Sequence, residues 1–250
     1  MQPLLRLLML LIAAMLFNPS AHANETINIV TDPWPPYAYS ENNKLMGTDV
    51  DITMAVFKRM GITANIQLLP WKRCLNLVKA LKADAILDVS VTEDRKSFLH
   101  FPDEPVSTGI TVFFKKVENP LASIKLDNPD NIRAGAMLGY KYCDELDNSR
   151  LLANAWRVPN LEQNFKMLLL NRVDLVVEVE SVGIHKAGKM GIADQLAIVP
   201  NARFCPGGNY LAFAKKPGYE KLTLKFSDEL AQFKTTQEYK QILEKYEVAQ

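Results

Sequence analysis

Histidine and cysteine are scarce in this chain, and neither sign of charge is in excess. It holds 3 His and 3 Cys in 250 residues. There is no Cys-x-x-Cys pair and no histidine cluster at ligand spacing, so nothing in the sequence supports a metal site, and no cofactor is implied. Lys plus Arg total 29 against 28 Asp plus Glu. With no basic stripe, the chain carries no electrostatic footprint for nucleic acid. A nucleophile elbow, a phosphate-binding glycine loop and zinc-ligand spacing are all missing, which removes the usual sequence signs of a hydrolase, a nucleotide enzyme or a metalloenzyme. No apolar run reaches the roughly 20 residues needed to cross a bilayer.

The longest such run, Leu7 to Phe17, is 11 residues, preceded by Arg6 and followed by Ala21-His22-Ala23. A positive start, a short apolar stretch and small residues at −3 and −1 predict a cleaved signal peptide over residues 1–23. Cysteine does not follow the cleavage site, so a lipid anchor is unsupported. The mature chain is expected to begin near Asn24 and to be soluble outside the cytoplasm. Without Arg6 it balances 28 basic against 28 acidic residues. In an oxidising compartment a disulfide becomes an option. Cys74 lies on the apolar side of a predicted helix and reads as a buried free thiol. Cys143 and Cys205 flank loops in the second half, and both a bridge and two free thiols remain open.

Strands and helices alternate along the chain, the pattern of α/β sheets covered by helices. Strands are predicted at 26–31, 63–69, 84–89, 108–114, 132–137, 173–177 and 209–215. Helices are predicted at 50–60, 73–82, from the Gly139-Tyr140-Lys141-Tyr142 turn through Leu152, and at 160–170, 181–189, 219–233 and 236–246. The apolar pattern breaks near Lys115 to Pro120 and again near Pro206-Gly207-Gly208. If the last strand and helices return to the first unit, residues 24–114 and 210–250 form lobe 1 and residues 115–209 form lobe 2. The two crossings then make a hinge beside an inter-lobe cleft. Trp34, Trp71 and Arg95 each follow a predicted strand, where ligands collect in open α/β sheets. Flat apolar faces and one guanidinium fork suit a small carboxylate.

Several segments together carry a resemblance: the opening strand with Pro35-Pro36-Tyr37, Gly47-Thr48-Asp49-Val50-Asp51, Lys82-Ala83-Asp84-Ala85-Ile86, Ser90-x-Thr92-x-x-Arg95, Asn171-Arg172-Val173-Asp174-Leu175 and Tyr239-x-x-Ile242-x-x-x-Tyr246. In this order, over nearly the whole mature chain, they resemble the bacterial extracellular solute-binding proteins of family 3, the polar amino-acid receptors of ABC importers. The resemblance implies a two-lobed, type II periplasmic-binding-protein fold closing over an α-amino acid, with an ABC permease as partner. It implies that Arg95 pairs with the ligand carboxylate and Ser90 donates to it, while Trp34 packs on the ligand side chain with Trp71 near it. The turn carrying Lys141 and Tyr142 would face the carboxylate side. This chain departs from the family pattern at two places. The acid expected after strand 173–177 aligns with Val179, flanked by Glu178 and Glu180, so either glutamate is a candidate for the ligand ammonium. Asp88 stands where small polar residues are common, as a receiver for a ligand cation or as a structural acid.

Plainer roles stand beside these. Trp34 and Tyr37 could staple a proline-rich loop to the core, and Trp71 could cover a sheet edge. Arg73, in a helix first turn where positive charge is mildly unfavourable, is a candidate contact or one half of a surface ion pair. Arg95 could bridge to Glu93 or Asp103, and Lys141 could be solvated. Two other functions fit the same fold: a cyclohexadienyl-dehydratase-like enzyme using Glu178 or Glu180 as general acid, and a ligand-sensing subunit for a membrane sensor.

Overall fold

The computed structural model describes residues 26–246; the expected signal peptide lies outside the described residues. The order of elements is that of two α/β units joined by two continuous strands. In the first unit β1 (Thr26–Thr31) lies parallel to β4 (Thr63–Leu68) and to β5 (Ala85–Val89). In the second, β8 (Ala134–Met137) lies parallel to β9 (Trp156–Val158) and to β10 (Leu175–Val179). The joining strands are β7 (Ser107–Lys116) and β11 (Leu196–Ala214), antiparallel to each other. One end of β11 pairs with β5, and β7 pairs with β10. The sheet order β4-β1-β5-β11-β7-β10-β8-β9 therefore runs through both units. The fold is the two-lobed one expected.

Each unit has its own core. Helix α1 (Thr48–Arg59) buries Val50, Ile52, Val56 and Phe57. Phe57 meets Phe226 at 5.1 Å between ring centroids. Phe226 belongs to the helix Tyr219–Phe233 near the C-terminus, whose Leu222, Phe226, Leu230 and Phe233 share one face at helical spacing. Burying one such phenylalanine contributes roughly 1.5–3 kcal/mol. That return of the C-terminal helix is why the chain crosses between lobes twice. In the second lobe the period of two along β7 puts Phe113 and Phe114 into cores on opposite faces.

Four details differ from the expectation. Thr111 to Phe114 already pair with β10, so the expected boundary at residue 114 falls inside β7. The hinge strand β11 begins at Leu196, well before the expected 209, and irregular pairing at Phe204/Gly207 interrupts its ladder with β7. The helix expected through Leu152 is two short pieces, α4 (Asp144–Asp147) and α5 (Arg150–Ala153). Ser149 divides them, because its side chain accepts from the Leu152 N–H and starts a new helix. The hairpin β2 (Tyr39–Glu41) and β3 (Lys44–Met46) turns on Asn42 and Asn43, at φ 51° and 59°. Both central residues hold the positive φ that a primed hairpin turn requires, which asparagine tolerates better than most residues.

The turn after β1 is pinned from outside. Trp34 and Ala38 exchange backbone hydrogen bonds across it. Gly47, at φ 134°, starts α1 so close to it that a Cβ there would stand 2.1 Å from the Tyr37 carbonyl oxygen. Only glycine fits, which fixes both the Trp34 loop and the first turn of α1.

Candidate functional site

A cavity of about 90 Å³ lies between the lobes, against the hinge strands. Lobe 1 contributes Asp32, Trp34, Trp71, Asp88, Ser90 and Arg95. Lobe 2 contributes Tyr140, Lys141, Tyr142, Glu178 and Val179, and the hinge adds Gly109, Cys205, Gly207 and Asn209. The lobes are closed on it. Tyr140 donates to Asp32 Oδ2 at 2.7 Å, and the hydroxyls of Tyr37 and Ser181 meet at 2.9 Å, both across the lobe boundary. Trp34 Nε1 donates weakly to Glu178 Oε1 at 3.5 Å, and Ser90 Oγ to the Lys141 carbonyl at 3.4 Å.

Arg95 sits on the one-turn helix α3 (Glu93–Lys96), which Thr92 caps by accepting from the Arg95 N–H. Its side chain is 4% exposed. Nη1 donates to the Ser90 carbonyl at 2.9 Å and to Ser90 Oγ at 2.6 Å. These bonds fix the plane of the guanidinium, whose other donors have no hydrogen-bond acceptor among the described residues. Trp71 lies beneath it at 5.5 Å, in cation–π contact. Burial pulls Arg95 down to about 10, so it stays charged at neutral pH. Of the expected partners, Glu93 pairs with Lys96 instead.

Glu178 answers the open choice between the two glutamates geometrically. It is 1% exposed, lines the cavity and accepts from the Val179 N–H at 2.8 Å. Glu180 begins the helix Glu180–Lys189 and turns outward to Arg203, with Arg203 Nη2 to Oε1 at 2.7 Å. Strand alternation would put residues 178 and 180 on one face, but β10 ends at Val179, and the helix that starts at Glu180 turns its side chain away from the cavity. Burial raises Glu178 to about 7 and Asp32 to about 6.

The remaining candidates divide. Trp34, Trp71, Asp88, Ser90, Lys141 and Tyr142 line the cavity. Tyr142 accepts from the Met137 N–H and donates to the Val177 carbonyl, tying its turn to the sheet. Tyr37 does not reach the cavity; it packs on Trp34 at 4.8 Å and spends its hydroxyl on Ser181 and the Thr108 carbonyl. Arg73 is exposed on the outer face of α2 (Trp71–Lys79), because Trp71, Cys74 and Val78 take the inner face. Asp32 and Tyr140 were not singled out by sequence, although both flank signals that were. Cys143 and Cys205 are bridged, and Cys74 is a buried free thiol. Among the described residues no cluster of His, Cys, Asp or Glu could hold a metal, and no helix is long and apolar enough to cross a membrane.

Comparison with known proteins agrees with this geometry. The model for "Bacterial extracellular solute-binding proteins, family 3" matches residues 27–249. The "Probable amino-acid-binding protein YxeM" of Bacillus subtilis is 28% identical over 217 residues, covering 84% of this chain and 79% of that protein. The "Arginine-binding extracellular protein ArtP" of the same organism is 23% identical, covering 85% and 82%. Among solved structures, an ancestral arginine-binding protein bound to arginine superposes with a TM-score of 0.76 at 24% identity, covering 90% of this chain and 99% of that one. At that identity the likeness is one of fold. With the family match spanning nearly all described residues, the chain belongs to the bacterial extracellular solute-binding proteins of family 3.

Proposed function

We propose that this chain captures a small α-amino acid by lobe closure in the periplasm and, as a monomer, hands it to an ABC importer. The observation that carries the reading is the placement of Arg95 and Glu178 on opposite lobes of one cavity. A guanidinium fork with one edge free matches a carboxylate with two parallel hydrogen bonds. A buried carboxyl on the other lobe matches an ammonium. One zwitterion then satisfies both lobes at once, and its binding energy holds them shut. The closed form presents a different surface from the open one, so occupancy is reported to the membrane partner as a population shift.

Family membership makes this a binding protein, not an enzyme. The raised pKa of Glu178 follows from burial and needs no catalytic role. The relatives' names favour neither the dehydratase nor the sensor-subunit reading.

A thermal-shift screen of the mature protein against the common amino acids, polyamines, organic acids and prephenate tests the proposal. A ligand at 100 times its Kd adds about 2.7 kcal/mol to stability. The expected result is a shift with one class of α-amino acid and none with polyamines. No shift with any amino acid would remove the reading.

A further inference from the structure

The turn that carries Tyr140 is a place where lobe 2 meets lobe 1. The Tyr140 N–H donates to the Met137 carbonyl at 3.3 Å and closes a four-residue turn, with Gly139 at φ 85° in its third position. Lobe 1 touches this turn twice. Tyr140 donates to Asp32 Oδ2 at 2.7 Å, and its ring meets that of Trp71 edge-on at 5.9 Å. A Cβ on Gly139 would stand 3.5 Å from Trp71 Cδ1, so the indole also packs on the backbone of the turn. A displacement of the turn by about 1 Å would carry the Tyr140 hydroxyl out of hydrogen-bonding distance of Asp32.

Lobe 2 holds the far end of the turn through Tyr142 and Cys143. The Tyr142 N–H donates to Asp147 Oδ2 at 3.0 Å, the Tyr142 hydroxyl is tied to the sheet, and Cys143 is bridged to Cys205 on β11. The anchor of Tyr140 itself is a different residue, Arg157. It stands in the middle of β9, opposite Ala136 of β8. Val158 packs into the core with Phe165, so alternation sends Arg157 to the other face. From there Nη1 donates to the Met137 carbonyl at 3.2 Å and to the Tyr140 carbonyl at 3.3 Å. The two hydrogens of one nitrogen thus hold the first and last residues of the turn together. A charged donor makes such bonds stronger than neutral ones. Asp147 feels the guanidinium charge, yet the hydrogen bonds go to the two carbonyls. Arg157 is half-buried and stands outside the cavity wall, so its effect on the cleft passes through Tyr140.

We propose that Arg157 is a positioning residue for ligand capture: from outside the cavity it sets the turn that places Tyr140 on Asp32, and so governs how long the lobes stay closed. This rests on the capture reading above. Arg95 and Ser90 belong to lobe 1, which the ligand meets first in the open form, whereas the Tyr140 bond forms only on closure. Loosening the turn therefore shortens the closed state without slowing encounter, and its signature is a faster koff at constant kon.

Stopped-flow binding kinetics with the amino acid that gives the largest thermal shift tests the proposal. Arg157→Met should raise koff about tenfold, the scale of one lost hydrogen bond, and leave kon unchanged. Arg157→Gln, too short to reach either carbonyl, should do the same and serves if Arg157→Met does not fold. Arg157→Lys should restore koff, because one ammonium nitrogen can also donate to both carbonyls. Tyr140→Phe should raise koff by a similar factor, and in the double variant the two effects should not multiply, since both act through one cross-lobe bond. An arginine that merely stabilised lobe 2 would lower the melting temperature and act independently of Tyr140. Small-angle scattering without ligand should show Arg157→Met or Arg157→Gln enlarged as Tyr140→Phe is. An unchanged koff, effects that multiply, or no restoration by lysine would overturn the inference and leave the capture reading standing. If no amino acid binds the wild type, the capture reading falls, and scattering alone decides whether Arg157 sets closure: an unchanged radius in its variants would overturn that as well.

Discussion

Arg95→Ala is the substitution with the largest expected effect on affinity, and its size follows from the geometry. Within the closed cleft Nη1 is committed to the Ser90 carbonyl at 2.9 Å and to Ser90 Oγ at 2.6 Å. The rest of the fork is therefore held in place, and little side-chain entropy remains to be lost when a carboxylate arrives. A charge-assisted hydrogen bond contributes about 1.5–3 kcal/mol. Truncating one partner of a buried charge pair costs about 2–5 kcal/mol. Taking ~3 kcal/mol, at 1.4 kcal/mol per factor of ten, affinity should fall about 100-fold. Arg95→Lys keeps the charge but not the fork, so it should lose roughly one of the two bonds and about tenfold in affinity. Titration calorimetry with the amino acid giving the largest thermal shift measures both. Melting of the ligand-free variants separates binding from folding, because Ala also frees the Ser90 carbonyl. If Arg95→Ala binds within threefold of the wild type, the carboxylate does not sit on Arg95 and the site is built wrongly.

Glu178 makes the ligand-free protein sensitive to pH. Its carboxyl sits near 7 when folded against an ordinary 4.5, so between these values the folded state holds a proton that the unfolded state has lost, and stability falls as pH rises. The full difference is about 3 kcal/mol, at 1.36 kcal/mol per pH unit. Urea unfolding at pH 5 and pH 8 should therefore show a steeper loss for the wild type than for Glu178→Gln; equal losses would contradict a buried, protonated Glu178. Glu180→Gln, which removes an outward ion pair with Arg203, should leave ligand affinity unchanged in the same titrations. Reducing Cys143–Cys205, which closes a sequence separation of 62, should destabilise the protein by roughly 4 kcal/mol on the loop-entropy estimate. A melting temperature unmoved by reductant would count against that. Tyr140→Phe deletes the 2.7 Å bond to Asp32 that spans the lobes. It should weaken ligand binding by up to about tenfold and enlarge the ligand-free protein in small-angle scattering; an unchanged radius would show that this bond does not hold the cleft closed.

Most of the architecture was legible in the sequence because it is written in local patterns. Helix faces such as Leu222, Phe226, Leu230 and Phe233 repeat at helical spacing, and β10 is apolar apart from Glu178. The positions of Trp34, Trp71, Ser90 and Arg95 were legible for the same reason: each follows a recognisable strand, and strand ends are where a cleft forms. What local pattern does not encode is side-chain direction after an irregularity. Arg73 and Trp71 are two residues apart on one helix, and only packing against the sheet shows that Trp71 faces in and Arg73 faces out. Glu178 and Glu180 were equivalent candidates until the last residue of a strand and the first turn of a helix assigned one to the cleft and the other to Arg203. The break at Ser149 was hidden because a capping serine costs a helix little until tertiary packing favours the cap. Asp32 and Tyr140 lie 108 residues apart. Periodicity determined the layered α/β units and the strand-end placement of the site; only the folded lobes decided that the C-terminal helix packs on the first core and which carboxyls share the site, because burial and proximity, which set their charge, are properties of neighbours brought together from distant parts of the chain.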